Sequence, residues 1–72
     1  MPLVQVTVVA GRGPEQLRAL VRELHEAVVR GIGAAPEQVR VIVHEVPPTH
    51  WAAGGETIAE RTQREARGAD HE

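Results

Sequence analysis

From Leu3 to Val9, the valines at 4, 6 and 8 alternate with Gln5 and Thr7, a two-residue period that predicts a strand with one covered face. Ala10-Gly11-Arg12-Gly13 breaks the pattern, and Pro14 suits a first helical position because its missing N–H has no intrahelical partner to lose. With Gly13 as N-cap, Glu15 falls in the first turn and Gln16 can reach back to the cap amide. Leu17, Leu20, Val21, Leu24, Val28 and Ile32 then recur at three- and four-residue spacing, while Arg18, Arg22, Glu23, Glu26 and Arg30 occupy the other side. The period has become helical, and the helix is amphipathic. Gly31 and Gly33 end it. Pro36-Glu37-Gln38 repeats the Pro-Glu-Gln of residues 14–16 and predicts a short helical turn. Residues 39–46, Val-Arg-Val-Ile-Val-His-Glu-Val, form a second strand that Pro47-Pro48 stops.

Strand, long helix and strand with short connections make a β-α-β unit, with parallel strands and a right-handed crossover. Residues 49–58 read as a loop leading into a short hairpin able to reach a neighbouring subunit. The expected fold class is therefore α+β: a small β-α-β unit with a C-terminal hairpin, spanning residues 1–58. Residues 59–72 are almost wholly polar and are expected to form a fraying tail, apart from a helical turn around residues 59–66.

Two strands and one helix leave a sheet face and both edges uncovered, a liability that pairing with another copy removes. Size points the same way. A chain of 72 residues buries only roughly 60% of its unfolded surface. Without Cys it has no disulfide framework. Self-association is the remaining route to stability.

The formal charge of −2 argues against nucleic acid, which calls for a basic stripe. No apolar run reaches the length of a membrane span, and the start lacks a basic segment followed by an apolar one, so a cytoplasmic protein is expected. His25, His44, His50 and His71 have no metal-site spacing, and neither metal nor cofactor is expected. Gly11-Arg12-Gly13 lies between strand and helix like a dinucleotide loop, but Gln16 stands where the third glycine belongs and Pro14 removes an amide.

The candidate chemistry is carried by few residues. Pro2 follows the initiator methionine and precedes a strand. With Met1 removed, its nitrogen is a secondary amine held by packing, able to act as a general base once burial and nearby cations lower its pKa. Proline is equally at home as a plain strand-start residue. All eight basic residues are arginines, each a planar bidentate donor. Arg12 lies in the turn after the first strand, where a solvated charge is the ordinary occupant. Arg40 interrupts an apolar strand, and an unpaired burial there would be costly, which implies a salt-bridge partner or an anionic ligand. The topology sets these two arginines at opposite ends of the sheet, so a pocket using both requires abutting subunits. Trp51, the sole aromatic residue, suits a core, an interface or a pocket wall.

Taken together, Pro2, Ala-Gly-Arg at 10–12, Val-Arg-Val-Ile-Val at 39–43 and Thr-His-Trp-Ala-Ala-Gly-Gly-Glu at 49–56 resemble the 4-oxalocrotonate tautomerase family of the tautomerase superfamily. The resemblance covers residues 2–56 and implies a homohexamer of paired four-stranded sheets. It also implies that Pro2 is the catalytic base, that Arg12 and Arg40 hold a carboxylate and polarise a carbonyl, and that Trp51, where the family usually has phenylalanine, walls the substrate pocket. Ala53 stands where hydratase and dehalogenase relatives carry a water-activating glutamate, which argues against their chemistry. The implied activity is enol-to-ketone tautomerisation of a small unsaturated 2-hydroxy or 2-oxo carboxylic acid. Two alternatives stay open: an isomerase acting on a specialised-metabolite intermediate, and a non-catalytic oligomeric binding module if Met1 is retained.

Overall fold

The computed structural model describes residues 1–69; residues 70–72, His71 among them, lie outside the described part. Strand β1 (Leu3–Val9) pairs in parallel with β2 (Arg40–Val46), with Leu3 opposite Arg40 and Val9 opposite Val46. Helix α1 (Pro14–Ile32) makes the crossover between them. A 3₁₀ turn at Pro36–Gln38 precedes β2, and Val39, expected within the strand, instead closes that turn.

Alternation sorts the sheet into two faces. Val4, Val6 and Val8 of β1 and Val41 and Val43 of β2 are half-buried on the helix side. Leu3, Gln5, Thr7, Arg40, Ile42 and His44 are exposed on the other. Leu17, Leu20, Val21, Leu24 and Val28 of α1 are half-buried, as their spacing predicts. Ile32 departs from that reading, being 71% exposed. The helix is about 28 Å long at 1.5 Å per residue, the strands only about 23 Å at 3.3 Å per residue, so its last turn overhangs the sheet. Gly31 remains inside the helix, and Gly33, at φ 66°, is the left-handed cap whose N–H donates to the Val29 carbonyl. At the other end the bonds are between backbone groups, with the Gln16 and Leu17 amides donating to the Gly13 carbonyl.

Beyond β2, a second 3₁₀ turn at Pro48–His50 leads to a hairpin of β3 (Ala52–Ala53) and β4 (Glu56–Thr57). Its two-residue loop is Gly54-Gly55, both at positive φ, which is the conformation a tight hairpin of the primed type demands. Of the tail expected to fray apart from a helical turn at 59–66, residues 70–72 lie outside the described residues and the described part belongs to helix α2 (Ile58–Ala69). Its start is fixed by a reciprocal cap: the Thr57 amide donates to Glu60 Oε1 at 2.9 Å, and the Glu60 amide donates to Thr57 Oγ1 at 3.1 Å. Local capping and side-chain pairing order this helix where apolar burial does not.

The core is thin. Val39 is the one buried hydrophobic residue among those described. The radius of gyration is 16.9 Å, against about 11 Å for a compact chain of this length. Leu3 and Ile42, 55% and 41% exposed, lie on the same uncovered sheet face. A lone chain therefore leaves unburied the apolar surface that a folded domain needs to bury.

Candidate active site

Pro2 sits one residue ahead of the β1–β2 ladder, half-buried, and its carbonyl accepts a hydrogen bond from the Arg40 amide at 3.0 Å. This tie orders the start of the chain, because Leu3 and Arg40 begin the parallel register together. Pro2 and the Arg40 backbone are thus brought to one end of the sheet. Met1 lies 81% exposed in solvent.

Arg40 heads β2 on the face away from α1, and its Nη1 donates to the Glu37 carbonyl at 2.9 Å, which satisfies one of its donors locally. Among the described residues no carboxylate pairs with it. The strand-end position and exposure of Arg40 remove the burial cost that the sequence implies for an arginine in an apolar strand.

Arg12 follows the turn that Gly11 makes at φ 140°, and its Nη1 donates to the Val9 carbonyl at 3.1 Å. The Ala10 amide donates to the Val46 carbonyl at 2.8 Å, so this turn closes over the C-terminal end of both strands. Arg12 and Arg40 are consequently separated by the length of β1, about 23 Å at 3.3 Å per residue. One protomer does not bring its two guanidiniums together. Trp51 is half-buried just beyond the second 3₁₀ turn, and its carbonyl accepts from the Ile58 amide at 2.8 Å, which ties the tryptophan to the start of α2. It follows β2 in the chain and so leaves from the Arg12 end. A single protomer thus sets Pro2 and Arg40 at one end of the sheet, and Arg12 at the end from which the chain runs on to Trp51.

A charged pair outside this set was not anticipated. Arg64 of α2 grips Glu56 of β4 through Nε to Oε2 at 2.8 Å and Nη2 to Oε1 at 3.1 Å. The Arg64 hydrogen bond holds the Glu56 carboxyl below its ordinary range, with the nearby charges of Arg64 and Arg61 adding to it, and Arg64 is raised in turn. The available signal was Thr57-x-x-Glu60, a capping box that opens a helix and sets Arg64 two turns beyond Glu56.

A family model described as "Tautomerase enzyme" matches residues 2–61. A 2-hydroxymuconate tautomerase of Pseudomonas putida is 45% identical over 56 residues, covering 78% of this chain and 89% of that protein. Among solved structures, a heterohexameric 4-oxalocrotonate tautomerase from Chloroflexus aurantiacus is 42% identical with a TM-score of 0.79, over 83% of this chain and 97% of that one. TomN, a 4-oxalocrotonate tautomerase homologue in the tomaymycin biosynthetic pathway, is 44% identical with a TM-score of 0.84, over 86% of this chain and 95% of its own.

Proposed function

This chain belongs to the tautomerase family, whose members are isomerases, and from that premise we propose that it converts the enol form of a small unsaturated 2-hydroxy carboxylic acid, a dicarboxylate, into the 2-oxo form, with the Pro2 nitrogen as general base. The observation that carries this reading is the tie between the Pro2 carbonyl and the Arg40 amide. It holds the start of the chain at the strand end that also bears Arg40. The exposure of Met1 supports its removal, after which the Pro2 nitrogen is an amine with a free electron pair.

In the proposed reaction the 2-hydroxyl O–H bond breaks and its proton passes to Pro2. The C2–O bond becomes a carbonyl, the conjugated electron pair moves along the chain of double bonds, and a distant carbon takes the proton back from Pro2. Charge develops on the 2-oxygen and the adjacent carboxylate, where Arg40 stabilises it. Arg12 grips the far carboxylate and draws electron density toward it. Such fixed cations in a dry site commonly supply the largest catalytic term. Trp51 walls the pocket and keeps the amine from being solvated in its charged form.

Because Arg12 and Arg40 lie at opposite ends of one sheet, the site is completed by neighbouring copies in a homohexamer. The uncovered sheet face bearing Leu3 and Ile42 supports that assembly, as does the hexameric state of the Chloroflexus relative. No described helix is long and apolar enough to cross a membrane, and we place the enzyme in the cytoplasm. The likeness to TomN favours a second reading, in which the same proton transfer serves an intermediate of specialised metabolism.

The test is intact mass followed by an ultraviolet assay with 2-hydroxymuconate. Loss of Met1 and turnover of the dienol are expected, with Pro2→Ala lowering kcat by about 10²-fold or more. Retained Met1 makes the Pro2 nitrogen an amide and leaves only a binding role. Turnover of the dienol too slow to saturate, with Met1 absent, moves the assignment to the specialised-metabolite reading.

A further inference from the structure

Away from the proposed catalytic residues, α1 and the edge of β2 enclose a groove of about 270 Å³ lined by Arg18, Val21, Arg22, His25, Val39 and Val41. Its floor is apolar and includes Val39, the buried core residue. Arg18, Arg22 and His25 rise along one stripe of α1 at spacings of four and three residues. Val41 faces the helix side of β2, and Val39, just ahead of the strand, is buried beside it, so the groove lies on the opposite face of the sheet from Arg40 and Ile42.

The charges in this groove are unbalanced. Two arginines four residues apart repel each other and weaken the helix. Three arginines elsewhere are matched with carboxylates, Arg30 with Glu26, Arg61 with Glu65 and Arg64 with Glu56, while Arg12 and Arg40 donate to backbone carbonyls. Neither Arg18 nor Arg22 makes an ion pair or a side-chain hydrogen bond among the described residues. Glu26 stands one turn after Arg22, but its carboxylate is turned to Arg30 at 3.9 Å.

We propose that this groove is a second ligand site, separate from the catalytic one, for a small organic carboxylate with an apolar body. The two guanidiniums offer planar donors to the carboxylate, and Val21, Val39 and Val41 receive the hydrocarbon. The room suffices, since an apolar cavity of about 150 Å³ accepts a benzene ring. The pairing of charged rim and apolar floor selects against either half of such a ligand alone.

The test is NMR titration of the assembled protein with benzoate, with inorganic phosphate supplying charge alone and benzyl alcohol supplying the ring alone. Benzoate is expected to shift the Arg18, Arg22, Val21, Val39 and Val41 signals saturably, and to do so equally in an Arg40→Gln variant whose proposed catalytic site is impaired. Arg18→Gln with Arg22→Gln should weaken that binding by about tenfold or more and leave turnover of 2-hydroxymuconate unchanged. Phosphate binding as well as benzoate, unshifted groove signals, or undiminished affinity in the double variant would each overturn the proposal. So would a change in assembly size caused by the double variant, since it would make the groove a contact between copies.

Discussion

In the β1–α1–β2 unit, Leu3 pairs with Arg40 and Val9 with Val46, so residues far apart in the chain meet along a ladder backed by valines and leucines. In the arm formed by β3, β4 and α2, the side-chain contacts close locally: Thr57 with Glu60 three residues on, Arg61 with Glu65 four on, and Glu56 with Arg64 eight on. The first region is ordered by burial that it does not complete alone. The second is ordered by polar geometry and needs little burial to hold its shape. The unit alone therefore leaves apolar surface uncovered, whereas the side-chain contacts of the arm are complete within one chain. In the proposed assembly, an arm already formed would lose less conformational entropy on docking.

The strongest way to break this contrast is to charge the uncovered sheet face. Ile42→Asp is expected to dissociate the assembly and abolish tautomerase turnover, because an unpaired carboxylate buried between copies costs several kcal/mol and the proposed site needs more than one protomer. Size-exclusion chromatography with light scattering reads the outcome. A variant that keeps the wild-type mass would show that copies meet elsewhere and that Leu3 and Ile42 stay in solvent.

The legible parts of the sequence are those whose order comes from periodicity. Alternating valines mark β1, the three- and four-residue spacing of Leu17 to Val28 marks α1, and Gly54-Gly55 marks the hairpin loop. Ile32 fits the same helical period yet projects past the sheet, since periodicity assigns a face without saying where the opposing surface ends. Helix α2 is legible only as a turn at residues 59–66, for the opposite reason. Ile58 is its only large apolar residue, so a burial pattern is absent, and its order comes from a cap and ion pairs whose signature is a few polar residues at fixed offsets. For the proposed site residues, what the sequence makes legible is their positions along the strands, Pro2 and Arg40 at one end and Arg12 at the other. The proposed joining of the two ends is not legible there, because it would depend on how copies meet and not on contacts within one chain.

A smaller, local effect is expected from the cap. Thr57→Ala removes the hydroxyl that receives the Glu60 amide and should cost about 1 kcal/mol, concentrated in α2. Circular dichroism should lose part of its helical signal, while hydrogen exchange along β1 and β2 stays slow and Thr57→Ser restores the helix. Loss of protection in β1 and β2 as well would mean that arm and unit unfold together, erasing the distinction between them.

The smallest effect separates burial from charge within the arm by pH. Glu56 has its carboxyl lowered from its ordinary value of 4.5 mainly by the Arg64 hydrogen bond, so the folded arm binds this proton less readily than the unfolded chain does. Its contribution is fully present above the ordinary value and is lost as pH falls through the lower folded one. The Arg64 guanidinium stays charged throughout, so the pH dependence belongs to the carboxylate. Side-chain exposures of 60% for Arg64 and 36% for Glu56 leave the pair open to solvent and salt, which keeps the effect small. Acid titration of the α2 helical signal should therefore show a step below pH 4.5 that Glu56→Gln removes and that high salt reduces. A step that survives in that variant would not belong to the Glu56–Arg64 pair and would overturn its role in the acid response of α2.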